Sequence, residues 1–346
     1  MRATNWLGDA VMSLPALRAI RGALPHAHLA IIARPSLTDL YARESAIDRV
    51  IPYSPPKTWR DRLSFAARLR AERFDAAILF QNAFDAALIA RLARIPERVG
   101  YRRDGRGWLL TRPIAVPEPG DIPRHERFYY LELLRRAGMM ERFPACDAIL
   151  LDRLDAARDE GRAQLRALTS AATAVGVSPG AAYGNAKRWL PERFAETASR
   201  LARETDSAVL VFGSAGERDL CEQVAVEARK GGVECVNLAG ETSLRQFIDL
   251  ASACRLFLAN DSGAMHIAAA VGVPCIAVFG ATDDTTTGPS SPLARVIREH
   301  AECSPCLLRE CPIDHRCMTR VTVERVSSAA REALETSALW THEERS

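Results

Sequence analysis

Three glycine-bearing loops gather the side chains suited to a phosphorylated substrate. In SPGAAYGNAKRWLPERF, residues 178–194, a strand runs into a loop holding Gly180 and Gly184. Lys187 follows, then a helix with Pro191 suited to its first turn. Flexible backbone beside a helix start can converge N–H groups on an anion, and Lys187 can add a point charge toward a phosphate. The plainer alternative is an ordinary loop with a solvated lysine. In NDSGAMHIAAAVGVPCIAVFG, residues 260–280, Asn260, Asp261 and Ser262 form a helix N-cap signal, Gly263 lets backbone approach a ligand, and Gly272 stops a small-residue helix. The unpaired N–H groups of its first turn favour a diphosphate, with His266 on that turn. Equally, Asp261 only caps the helix and His266 only packs. In NWLGDAVMSLPALRAI, residues 5–20, Asp9 is either a general base for an attacking hydroxyl or a helix cap.

A fourth cluster is chemically different. Cys303, Cys306, Cys311 and Cys317 form C-x2-C-x4-C-x5-C, with His300 and His315 beside them. The ligand types suit a structural zinc, although the spacing is not a paired-knuckle pattern, and thiol packing is the equal alternative. Disulfides are disfavoured in a reducing compartment. Cys146, Cys221, Cys235, Cys254 and Cys275 lie in apolar or helical stretches and read as small core side chains.

These loops need a scaffold, and the chain supplies a repeated rhythm of short β-branched runs and longer amphipathic segments, the pattern of parallel βαβ units. In the first half, strands are expected at 27–33, 49–53, 74–80 and 98–101, and helices at 12–23, 59–73, 84–93 and 126–137. In the second, strands are expected at 174–178, 208–213, 233–238, 255–259 and 274–279, and helices at 192–204, 216–229, 243–253 and 263–271. A charged helical stretch at 150–172 lies near the boundary of two doubly wound α/β halves, whose ligands would sit at the carboxyl ends of the strands in a cleft between them. The helix at 12–23 lacks a feeding strand, because only four residues precede the loop NWLGDA. Either Met1 is not the natural start, or the first domain lacks part of its first strand.

With 346 residues, two domains are expected. No apolar run approaches the ~18 residues of a membrane span, and Asn5, Gly8 and Asp9 interrupt the stretch that a secretory signal would need. A cytoplasmic protein is therefore expected. A net charge of +3, from 46 basic and 43 acidic residues, gives no general case for nucleic-acid binding. Only Lys57, Lys187 and Lys230 are lysines, so Lys187 stands out from an arginine-rich background. No G-x-G-x-x-G follows an expected strand, which argues against a dinucleotide oxidoreductase.

GDAVMSLPALRAIR, SPGAAYGNAKRW, LVFGSAGERD, NLAGETSL, NDSGAMHIAAAVGVPCIAVFG and CSPCLLRECPIDHRCM, in that order along nearly the whole chain, resemble the lipopolysaccharide heptosyltransferases, glycosyltransferase family 9. The resemblance implies a GT-B fold of two Rossmann-like doubly wound domains. An acceptor-binding domain would span 1–160, a donor-binding domain 161–322, and a C-terminal helix 323–346 would return toward the first. It implies transfer of L-glycero-D-manno-heptose from ADP-heptose to the heptose of a heptosyl-Kdo-lipid A acceptor, with inversion. Asp9 matches the catalytic aspartate and Lys187 the lysine at the donor phosphates. Glu217 matches a glutamate near the ribose, and Thr242 lies where the family contacts adenine. Gly180, Gly184, Asp261, Ser262, Gly263 and His266 fall in the segments that hold the donor. Heptosyltransferase I, another core glycosyltransferase of the family, and a non-catalytic nucleotide- or lipopolysaccharide-binding module are the alternatives. No glycine-flanked DxD is present, so catalysis without a metal cofactor is expected, by a monomer. The stretch Arg98 to Arg106 either meets anionic lipid at the inner membrane face or is a solvated loop.

Overall fold

The computed structural model describes residues 1–343. The chain divides into a first unit, Met1–Cys146, and a second that begins at Asp147. The first unit holds β1 (Ala30–Ala33), β2 (Arg49–Pro52), β3 (Ala76–Leu79), β4 (Glu97–Tyr101) and β5 (Arg112–Ile114). β1 pairs with β2, and β3 with β4 and β4 with β5, all parallel. The gap between these groups is filled by the chain's first residues. Arg2 bridges Ile32 and Leu79 in parallel, with Arg2 N–H donating to Ile78 O at 2.8 Å, Ala3 N–H to Ile32 O at 2.9 Å and Phe80 N–H to Arg2 O at 3.1 Å. The strand missing from the sequence pattern is therefore present, too short to show a period but at the centre of the sheet. Counting it as first, the spatial order is 3-2-1-4-5-6, the dinucleotide-fold order.

The second unit repeats that order. β6 (Ala174–Ser178), β7 (Ala208–Val211), β8 (Cys235–Asn237), β9 (Cys254–Asn260), β10 (Cys275–Phe279) and β11 (Ala294–Arg298) form one parallel sheet ordered β11-β10-β9-β6-β7-β8. Every residue of β6 is buried, as befits a central strand covered on both faces. Helix Pro191–Thr205 packs through Phe194, Ala195, Ala198, Leu201 and Ala202, one stripe at helical spacing. The expected strands and helices are present with shifted ends, and β5 and β11 are additions.

The boundary falls at Cys146/Asp147 rather than at 160/161. Helix Leu154–Leu168 belongs to the second unit because Gly161 lies against helix Leu244–Ala253, where an added Cβ would come within 1.9 Å of Asp249 O. The C-terminal helix Val323–Glu343 also needs correction as a separate 323–346 element. Val326, Ala329, Ala330 and Ala333 enter the core formed by Val175, Val177 and Val278, and Arg331 pairs with Glu204 at 2.7 Å. Residues 344–346 lie outside the described residues. Among those described, no helix is long and apolar enough to cross a membrane.

Candidate active site

In the 3-2-1-4-5-6 order, the carboxyl ends of the first and fourth strands diverge and leave a crevice. In the second unit these are β6 and β9. The loop after β6 carries Lys187 in the single turn Asn185–Lys187, and β9 ends at Asn260. The Lys187 ammonium donates to Asp261 Oδ2 at 2.6 Å, and Thr282 Oγ1 donates to the same oxygen at 2.5 Å. Both partners are largely buried, with side-chain exposures of 14% and 6%. Asp261 is thus not the helix cap that its position suggested. Ser262 precedes helix Gly263–Ala270 but makes no cap hydrogen bond, and its buried hydroxyl has no partner among the described residues. A polar ligand at this helix start would find an unused hydroxyl beside the free N–H groups of the first turn.

Asn260 was read only as part of a cap signal, yet it fixes the Lys187 loop at both ends. Its Oδ1 accepts from Trp189 N–H at 2.9 Å, and its Nδ2 donates to Pro179 O at 2.8 Å. Gly180 lies against Glu217, whose carboxylate stands 2.1 Å from where a Cβ would be and would have to swing aside for any larger residue. Glu217 in turn faces Arg188 at 3.8 Å. The loop with Thr242 neighbours the Glu217 turn: Gly240 N–H donates to Gly213 O at 3.0 Å, and Arg218 pairs with Glu241 at 2.8 Å. His266 is buried within its helix.

In the first unit, Asp9 follows the central strand, at the equivalent switch point. Helix Leu7–Met12 starts earlier than expected, its N-cap is Trp6 without a side-chain cap bond, and Asp9 sits half-buried in the first turn. That helix packs on helix Glu126–Arg136. Burial and the Asp9 charge together raise the Glu126 carboxyl above the ordinary range, opposed by Arg103. Glu126 was missed because 117 positions separate it from Asp9 and no local motif marks it.

Two arginines of the 98–106 stretch belong to the scaffold. Arg106 is fully buried, donating to Tyr101 O at 3.0 Å, to Asn82 Oδ1 at 3.0 Å and to Gln81 O. Arg98 donates to Leu109 O at 2.8 Å. Arg102 and Arg103 remain exposed.

Cys303 is exposed, Cys306 and Cys311 are half-buried, and Cys317 is buried, with its thiol raised by burial and by the other three thiols. All four are unbonded, and among the described residues no group of three or more His, Cys, Asp or Glu is arranged to hold a metal. Cys221, Cys235, Cys254 and Cys275 are core thiols pushed up to about 12 by burial.

The profile described as Glycosyltransferase family 9 (heptosyltransferase) matches residues 62–316. Lipopolysaccharide heptosyltransferase 2 of Salmonella typhimurium is 33% identical over 301 residues, covering 85% of this chain and 86% of that protein. Lipooligosaccharide heptosyltransferase 2 of Campylobacter jejuni is 26% identical over 338 residues, 97% of this chain and 98% of that one. The solved structure of E. coli ADP-heptose lps heptosyltransferase II superposes with a TM-score of 0.83 at 27% identity, covering 97% and 98% of the two chains. The fold class is accordingly GT-B.

Proposed function

The chain belongs to glycosyltransferase family 9, the heptosyltransferases, and from that premise we propose that it moves L-glycero-D-manno-heptose from ADP-heptose onto the first heptose of the lipopolysaccharide inner core. The observation that carries this reading is the buried Lys187–Asp261 pair at the start of helix Gly263–Ala270, with the unpartnered Ser262 hydroxyl beside it. An inverting transfer needs a base for the acceptor hydroxyl and neutralisation of a departing nucleoside diphosphate. Asp9 takes the proton. Lys187, Ser262 and the N–H groups at Gly263 receive the diphosphate, while the Glu217 and Thr242 loops flank the nucleoside.

Asp261 is already engaged by Lys187 and Thr282, so the carboxylate ending this strand is committed to a lysine rather than to a divalent ion. The reaction proceeds without a metal cofactor. ADP release from ADP-heptose, measured on chelator-treated enzyme with acceptors carrying Kdo alone or heptosyl-Kdo, tests both points. Turnover on the heptosylated acceptor is expected; turnover only on Kdo would reassign the acceptor, and loss of activity restored by a divalent ion would overturn metal independence.

The acceptor is a membrane lipid, and contact with its surface falls to the first unit. Trp108, 65% exposed, lies 6.3 Å from the exposed Phe84 ring and 5.5 Å from the Arg91 guanidinium, an aromatic and cationic grouping suited to an anionic interface. Flotation with anionic phospholipid vesicles should show binding that weakens with salt and with Trp108→Ala; absence of binding at low salt would remove this part of the reading.

A further inference from the structure

The cysteine-rich segment acts as a strap at the carboxyl edge of the second sheet. One part is tied to the end of β10, where Ser304 Oγ donates to Gly280 O at 2.5 Å and Leu307 N–H donates to Ala281 O at 2.8 Å. The next part is tied to the Lys187 loop. Ala186 N–H donates to Arg309 O at 3.0 Å, Tyr183 OH donates to Leu307 O at 2.8 Å, and His315 Nε2 lies 3.1 Å from Ala186 O. Gly184 is needed for this approach, because an added Cβ would stand 2.1 Å from Arg309 O.

The backbone of Arg309 is thereby fixed against the loop, and its side chain extends over Tyr183. The guanidinium carbon is 5.2 Å from the ring centroid, and Lys187 Nζ is 4.9 Å from the same ring. The two cations differ in how their charge is compensated. Lys187 is offset by Asp261, and Arg188 faces Glu217, so neither brings a full uncompensated charge. The helix start adds only about half a charge. A diphosphate carries more than that. Arg309 is exposed, and its guanidinium has no carboxylate partner among the described residues.

We propose that Arg309, carried by the strap and steadied on Tyr183, binds the diphosphate of the sugar nucleotide. This rests on the reading that this end of the sheet holds the donor. A guanidinium suits the task because it can meet phosphate oxygens with two parallel N–H donors.

ADP titrated calorimetrically into the wild type, Arg309→Ala and Arg309→Lys tests it, with the apo melting temperature of each as the structural readout. Arg309→Ala should bind ADP about 10-fold more weakly or worse, Arg309→Lys should recover part of the loss, and the melting temperatures should agree, since the strap is tied by backbone groups. Wild-type affinity in Arg309→Ala would overturn the proposal while leaving the donor site in place. Equal losses in both variants with lowered melting temperatures would make Arg309 a scaffold residue and also overturn it. Failure of the wild type to bind ADP would instead sink the donor-site reading beneath it.

Discussion

Asp9→Asn should lower kcat by about 100-fold or more while changing the KM for ADP-heptose little, because a positioned general base contributes on the order of 10²- to 10⁴-fold. The asparagine keeps the shape of the side chain and removes only its capacity to take a proton. The location supports the role: Asp9 follows the central strand of the first sheet at its switch point, half-buried in the first turn of helix Leu7–Met12. Glu126 strengthens the case. It sets a second carboxyl beside Asp9, one that burial and the Asp9 charge raise above the ordinary range. Steady-state kinetics on both substrates decide the matter, and near-normal turnover by Asp9→Asn would remove Asp9 from the chemistry.

Lys187→Met should produce the other large effect, in two separable parts. Removing one member of a buried ion pair leaves the other charged and desolvated, typically at a cost of about 3–5 kcal/mol. Here that member is Asp261, with a side chain only 6% exposed and Thr282 Oγ1 as its remaining hydrogen-bond donor. The second part is loss of donor affinity. The double variant Lys187→Met with Asp261→Asn removes the stranded charge, so denaturant unfolding should show most of the stability restored while the KM for ADP-heptose stays high. Restoration of both together would mean that the pair only braces the loop.

What the sequence disclosed depended on how locally each feature is built. The second sheet was legible because its strands are continuous β-branched runs between amphipathic helices, and the motif from Asn260 to His266 was legible because a strand end, a glycine and a helix start are contiguous. The partnership of Lys187 with Asp261 was not, since 74 positions separate them and a lysine in a loop looks the same whether solvated or buried. The cap reading of Asp261 failed for the same reason: local preference favours a cap, and a tertiary partner took the carboxylate instead. Asn260 was absorbed into that cap signal, although its amide holds the loop at Pro179 and Trp189. The domain boundary was placed late because a polar helix looks like a linker until Gly161 is seen against Asp249. The cysteines drew attention by their spacing, whereas the contacts of their segment with the Lys187 loop are made largely by backbone atoms that no side-chain pattern announces.

The central strand of the first sheet has a consequence for how that unit is assembled. Its hydrogen-bond partners are the segments around Ile32 and Ile78, so Arg2 and Ala3 wait for their full pairing until the chain has grown by roughly eighty residues. Such non-local closure is slow relative to the pairing of β3 with β4, and until it happens the two flanking strand groups have no shared seam. Asp9, a few residues further along, acquires its setting at the same moment. In this unit the setting of Asp9 and the completion of the sheet are one late event in folding, so substitutions that weaken residues 1–4 should show up as inactive, partly assembled protein before they show up as altered chemistry.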